Sequence, residues 1–323
     1  MSVTGSTSVA RTAATFTDLL DGGWSLPLPG RGATLDRWRG LAALGQADLG
    51  LARLAEGHAD ACAILAELGG PAVASGRRLG VWAAEPPTAR LSARRRGSGW
   101  RLDGRKAWCS GARVLTDVLV TAHADDGPRL FLAQLGEGAA VDATGWRSAG
   151  MVGSDTSDVT FTGVPAVPVG DVGAYVDRPG FWHGGIGVAA VWGGGLAGVA
   201  AALAVRSSRP DPLRALALGR VEVAQGVVRA CLAVAAAEVD ADPADLPAAR
   251  RRALRVRATV AAAAEEVLAV VGRALGAGPL AHDAEHAQRV ADLTVYLRQH
   301  HGERDLAALG ELVARQSGNG ERS

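Results

Sequence analysis

GWRLDGRKAWCSGA, residues Gly99–Ala112, is the stretch that decides the fold. Its first arm alternates polar residues around Leu102. Asp103–Gly104 has the chemistry of a turn, and Lys106–Cys109 reads as a second strand. In a strand, residues i and i+2 face the same side. Trp108 and Ser110 are therefore expected to share one face, a flat apolar ring beside a small hydroxyl. Such a face suits a planar heterocycle with a polar edge. A hairpin with a buried tryptophan is the plainer alternative.

Short runs of the same kind surround this stretch. Leu79–Ala84, Arg90–Arg96, Trp100–Leu102, Lys106–Cys109, Val118–His123, Leu130–Leu135 and Val159–Phe161 are separated by Gly, Pro and Asp. Their spacing predicts an antiparallel sheet or small barrel over residues 79–167. Upstream, residues 1–30 read as irregular, with a short helix around Phe16–Leu20 and a break at Leu26–Gly30. Helices follow from Thr34 and from Gln46 to Leu68, the second stopped by Gly69–Gly70–Pro71.

From residue 181 the pattern is helical again. Asp211–Pro212 has the form of an N-cap followed by proline at the first helical position. Long helices are expected over 181–205, 211–240, 246–275 and 284–312, which together suit an up-and-down bundle. The expected division is an N-terminal helical region (1–78), a β-domain (79–167), a helical bundle (181–315) and a disordered tail (316–323). Phe181–Val205 is long enough to span a bilayer. It is built mainly of Gly and Ala and holds His183, so it reads as a helix packed inside the bundle.

The 323 residues carry 34 basic and 33 acidic side chains. That balance gives no electrostatic footprint for nucleic acid, which is not expected as a partner. Arg94–Arg96 reads as a solvated strand edge. Cys62, Cys109 and Cys231 are far apart and odd in number, as reduced cytosolic thiols are. The N-terminus shows no basic segment followed by an apolar core. A cytoplasmic protein with no membrane partner is expected.

The run Gly99, Leu102, Gly104, Lys106, Trp108, Cys109, Ser110 resembles the flavin-lining segment of the acyl-CoA dehydrogenase family. Three further stretches share the resemblance: Ala84–Glu85–Pro86, Gly153–Ser154–Asp155–Thr156 with Phe161, Val164 and Pro165, and Leu275–Gly276–Ala277–Gly278. Together they cover most of residues 45–315. The resemblance implies an α+β fold: a short N-terminal helical region, a barrel-like antiparallel β-domain and a C-terminal four-helix bundle. It implies FAD, with Trp108 near the isoalloxazine and the Ser110 hydroxyl at its N5 edge. Ala84, Glu85, Cys109, Gly276 and Gly278 become further cofactor contacts. It also implies an acyl thioester substrate, on CoA or a carrier protein, and a homodimer or homotetramer formed through the bundle.

The chain departs from that family in several places. Ala84 replaces a threonine, the Gly-Ser-Asp loop after Pro86–Pro87 is missing, and no Arg-x-x-Phe-Gly stands near Arg206–Arg214. Dehydrogenation of an acyl thioester needs a base for the α-proton while hydride passes to the flavin. Where the family places a glutamate, this chain reads Tyr296-Leu-Arg-Gln-His300-His301-Gly302-Glu303. His300 or His301 is the expected base, since an imidazole titrates near neutral pH. Glu303 lies just beyond and reads more readily as part of a charge run. A histidine here also resembles the flavin monooxygenase branch, in which reduced FMN or FAD and O2 are co-substrates. The lost contacts suggest a third reading, a member that no longer holds flavin and acts as a binding or scaffold subunit. Glu265–Glu266 are adjacent on a helix and form no carboxylate pair. His282 and His286 have helical spacing as a surface pair but no third ligand, so no metal is expected.

Overall fold

The computed structural model describes residues 3–205 and 211–320. Arg206 and the last three residues of the expected tail lie outside the described residues. The chain forms two compact units: residues 1–26 with 50–181, and residues 27–49 with 182–323. The helices before residue 78 are thus divided between the units and do not form a region of their own.

The first unit is built on seven strands: β1 Leu79–Trp82, β2 Leu91–Arg96, β3 Gly99–Cys109, β4 Asp117–Ala124, β5 Gly127–Gln134, β6 Ala139–Asp142 and β7 Ser157–Val169. β4 pairs with β2, β2 with β3, β3 with β7, β7 with β5, and β5 returns to β4, so the sheet closes. Closure leaves few free edges. β1 pairs with β4 in parallel, as β2 does at Ser92–His123, so the sheet is not wholly antiparallel. β6, which the short-run pattern missed, pairs with β7.

The hairpin expected at Gly104 is not there. β3 is one strand of 11 residues, and the reversal lies at Gly97–Ser98, between the paired Arg96 and Gly99. The 13-residue β7 pairs along β3 on both sides of Asp103–Gly104 and turns that dipeptide into an irregularity of register. Gly104 adopts φ +120°, where a Cβ would collide with the Arg90 carbonyl. The Asp103 carboxylate accepts the Gly163 N–H at 2.8 Å.

Two helices complete this unit. α1 (Val3–Asp21) is far longer than the short turn expected at Phe16–Leu20. Its composition favours helix weakly, but Phe16 is fully buried and meets the His58 ring edge-on at 6.3 Å. The Thr15 and Thr17 hydroxyls donate back to the carbonyls four residues earlier, which removes their competition with the helix. α3 (Leu49–Glu67) lays Ala61, Ile64 and Leu65 on Leu79, Leu119, Leu130 and Val169.

The second unit is helical: α2 Thr34–Ala47, α4 Pro179–Val205, α5 Pro212–Ala241, α6 Leu246–Leu275, α7 Ala277–His282, α8 Ala284–Tyr296 and α9 Glu303–Gly320. The Asp211 side chain caps α5 by accepting the Leu213 N–H at 2.9 Å, with Pro212 at the first helical position, as expected. Asp245 and Asp283 cap α6 and α8 in the same way. The expected helix over 284–312 is broken. After α8 come a tight turn at Leu297–Gln299, an extended His300 and Gly302 at φ +56°. α9 then runs through Gly320, where a disordered tail was expected.

The glycines of α4 explain its composition. A Cβ on Gly194 would collide with the Ala42 carbonyl, one on Gly45 with the Val191 carbonyl, and one on Gly198 would lie 2.8 Å from the Gln46 carbonyl. α2 and α4 cross backbone to backbone, which only glycine allows. Among the described residues α4 is the one helix long and apolar enough to cross a membrane by length and composition. Its Ile186, Ala190, Trp192, Leu196 and Val199 are buried within the protein.

Candidate functional site

β3 is anchored from inside the barrel just before its end. Lys106 is only 2% exposed. Its Nζ donates to the Thr121 carbonyl at 2.8 Å and hydroxyl at 2.7 Å, and lies 3.4 Å from Glu85 Oε1. The Thr121 hydroxyl in turn donates to Glu85 Oε1 at 2.7 Å, and His123 Nε2 lies 3.3 Å from Glu85 Oε2. Burial pushes the Lys106 ammonium down, against the attraction of Glu85. Burial also opposes the Glu85 charge, but the Thr121 hydroxyl and the neighbouring Lys106 and His123 hold its carboxyl below the usual range. Glu85, expected at a cofactor, is the counter-ion that makes a buried lysine tolerable.

Beyond Lys106 the register with β7 shifts, and Trp108 takes a left-handed conformation at φ +61°. Such a φ is uncommon for a bulky residue and marks stored strain. Its N–H donates to Asp158 Oδ1 at 3.3 Å. Trp108 is 57% exposed, and its ring meets that of Trp146 edge-on at 5.9 Å. Cys109 is buried, its thiol pushed up by burial and donating to the Lys106 carbonyl at 3.3 Å, so it belongs to the core.

Ser110 lies past the strand, and the bulge at Trp108 breaks the i, i+2 rule between them. The expected shared face is therefore not formed. The Ser110 carbonyl accepts the Trp82 indole N–H at 2.9 Å. Its hydroxyl lies 3.0 Å from the Thr156 hydroxyl, which lies 2.8 Å from that of Ser154, which donates to the Met151 carbonyl at 2.7 Å. Asp155, buried and left-handed at φ +48°, fixes this row by accepting the Arg113 backbone N–H at 2.9 Å and its Nε–H at 2.8 Å. The Gly153–Thr156 stretch was legible; its hydroxyl row to Ser110 was not. Ser110 also borders a shallow recess with Arg53, Leu54, Gly57, Leu79, Gly80, Val81 and Leu115. Its cavity volume is only about 10 Å³, room for a single water and not for a ligand group.

The other expected contacts offer less. Ala84 is exposed and presents only a methyl group. Gly276 ends α6 at φ +67°, and open space surrounds both Gly276 and Gly278.

In the second unit the two histidines separate sharply. The His300 side chain is 9% exposed and packs edge-on against Trp192 at 6.2 Å. The His301 side chain is 71% exposed, and Glu303 is exposed in the first turn of α9. Asp305, hidden in an apparent charge run, stands between the histidines. Its Oδ2 lies 3.6 Å from His300 Nε2 and its Oδ1 lies 3.5 Å from His301 Nδ1. Burial first, then the Arg257 charge, hold His300 below its ordinary value, with Asp305 opposing. The His301–Asp305 spacing of four was the available signal. His286 is buried in α8, not on the surface, and His282 ends α7. Among the described residues no three His, Cys, Asp or Glu side chains group as metal ligands.

Solved structures share this architecture. KijD3, in complex with FMN and a dTDP-linked amino keto sugar, is 20% identical over 99% of this chain and 95% of its own, with a TM-score of 0.74. TdsC of Paenibacillus sp. A11-2, with FMN and indole, is 18% identical over 97% of both chains, TM-score 0.73. Glutaryl-CoA dehydrogenase of Mycobacterium smegmatis is 18% identical over 94% of this chain and 86% of its own, TM-score 0.78. No family model matches the sequence, and no curated protein does. The chain has the acyl-CoA dehydrogenase fold.

Proposed function

We propose that the protein is a flavin-dependent oxidoreductase. The observation that carries this reading is the end of β3: a strained, exposed indole next to a hydroxyl row that is fixed from behind. Strain at a bulky residue persists only where the surroundings impose it, and it collects at ligand sites. With Trp108 and Ser110 no longer on one strand face, each serves separately: the exposed indole would pack on an isoalloxazine ring, and the Ser110 hydroxyl would meet a polar edge. The resemblance makes FAD the first cofactor to test, and the solved structures that hold FMN make FMN the second. A bound flavin supplies hydride acceptance, or, once reduced, reaction with O2.

The acid–base role that the resemblance assigns to this part of the bundle falls to His300. Asp305 Oδ2, 3.6 Å from its Nε2, favours the charged imidazole, and Nε2 makes no hydrogen bond of its own among the described residues. His301 shares Asp305 but is exposed, and Glu303 is exposed as well, so neither has the burial of His300. The first substrate reading is an acyl thioester, on CoA or a carrier protein, losing an α-proton and a β-hydride. A histidine–aspartate pair in place of a carboxylate base favours a second, a two-component monooxygenase fed by reduced flavin and O2. The solved relatives with FMN give that reading further support.

A homo-oligomer is part of the proposal. Along α5, Leu213, Leu216, Arg220, Val223, Val227, Ala230, Val234 and Ala237 alternate at spacings of three and four, and all are exposed. That is the spacing of a coiled-coil seam, on the side away from the buried Val221, Ala224, Val228 and Leu232.

The test mixes purified protein with oxidised flavin and acyl-CoA without oxygen, and separately with reduced flavin and O2. Bleaching of the bound flavin supports dehydrogenation, and oxygen uptake that depends on an organic substrate supports monooxygenation. A protein that binds neither flavin form overturns the proposal and leaves a scaffold role.

A further inference from the structure

His300 sits where the backbone holds it poorly. It follows a single tight turn, is itself extended, and precedes a left-handed glycine. Its backbone N–H reaches only the Leu297 carbonyl, at 3.0 Å. A side chain from α6 supplies what the backbone lacks. Arg257 donates from Nη2 to the Gln299 carbonyl at 3.1 Å, on the peptide that leads into His300. From Nη1 it donates to the Gly185 carbonyl of α4 at 2.9 Å. Its guanidinium lies 4.7 Å from the centre of the Trp192 ring, the same ring that His300 meets edge-on. Tyr296 meets that ring as well, at 6.3 Å.

We propose that Arg257 is a positioning residue for His300: it ties the turn that carries the imidazole to α4 and keeps a cation beside it. The proposal rests on the reading of His300 as the acid–base group. The geometry asks for arginine in particular. One planar fork bonds two carbonyls on different elements while stacking on an indole, and an ammonium ion on a flexible stem does not do all three. A purely structural staple between helices needs no imidazole on the same tryptophan.

The charges that face His300 are Arg257 and Glu265 of α6, Asp305 of α9 and the adjacent His301. Glu265 is engaged by Arg298. Arg257 favours the neutral imidazole and Asp305 the charged one. With Arg257 removed, Asp305 acts with less opposition, so the His300 pKa rises.

The experiment titrates His300 by NMR in the full chain, its imidazole proton identified by its loss in His300→Gln. This readout needs neither flavin nor substrate, so it stands apart from the function reading. In Arg257→Gln the His300 pKa is expected to rise by about one unit, and its resonance to move toward the free-imidazole position as the ring leaves Trp192. In Asp305→Asn the pKa is expected to fall. If the function reading also holds, the acid limb of the pH–rate profile moves with the NMR value. Arg257→Lys covers the case in which Arg257→Gln does not fold. It keeps the cation but loses the double tether, so its His300 resonance moves while the pKa stays near that of the parent. An unmoved resonance and an unmoved pKa in folded Arg257→Gln, or an unmoved resonance in Arg257→Lys, overturns the proposal.

Discussion

The hydroxyls of Ser110 and Thr156 lie 3.0 Å apart and join the end of β3 to the start of β7. Thr156 also holds Ser154, so it keeps a partner when Ser110 is changed. Ser110→Ala is therefore expected to cost only ~1 kcal/mol of stability, while flavin affinity falls about tenfold. A chemical melt and a flavin titration of the same preparation check both.

Trp108→Ala separates a ligand platform from a structural tryptophan. The exposed indole contributes little to the core, so stability is expected to stay within about 0.5 kcal/mol of the parent. Flavin retention is expected to drop by at least an order of magnitude, on the scale of a lost aromatic stack. A variant that melts far lower but binds flavin normally would return Trp108 to the plain structural reading.

The crossing of α2 and α4 gives a paired test of packing. A Cβ at Gly194 meets the Ala42 carbonyl, so Gly194→Ala is expected to destabilise by ~1–3 kcal/mol. Gly272, near the end of α6, faces open space. Gly272→Ala is expected to stabilise by ~0.5–1 kcal/mol through helix propensity. Denaturant melts of both variants give the two signs.

His58 links stability to pH. Its Nδ1 accepts the Leu79 N–H at 3.2 Å, and burial pushes its pKa down from 6.5 to about 4. The neutral form is the one that folds, so between those values the unfolded chain binds more protons. The contribution is complete above pH 6.5 and is lost as pH falls toward 4, amounting to up to ~3 kcal/mol. His58→Asn, which keeps an acceptor but does not titrate, is expected to flatten the stability curve across that window.

The α5 seam predicts assembly. Val223→Glu with Val227→Glu puts charge into an exposed row that is apolar apart from Arg220. The parent is expected to run as a homo-oligomer by light scattering and the double variant as a smaller species with unchanged helix content. A monomeric parent removes this part of the proposal.

The fold was legible because its signals are local. Period-two runs marked most strands, and Asp211–Pro212 marked the start of α5. What escaped the sequence depended on partners far along the chain. Gly104 carries turn chemistry, yet the length of β7 makes it a bulge. The left-handed Trp108 has no sequence signature, and it undid the shared-face argument for Ser110. α1 looked irregular because burial of Phe16, not propensity, makes it a helix. Glu85 matched a cofactor motif, but only the structure reveals Lys106 as its partner. Asp305 was hidden in a charge run until α9 brought it beside both histidines.

Titrating the purified full-length protein with FAD and with FMN, each oxidised and reduced, measures most directly whether a flavin rests at the end of β3. Saturable one-to-one binding of at least one form, weakened by Trp108→Ala and by Ser110→Ala in folded variants, is the predicted result. Absence of binding in all four titrations, or binding that neither substitution alters, would contradict it.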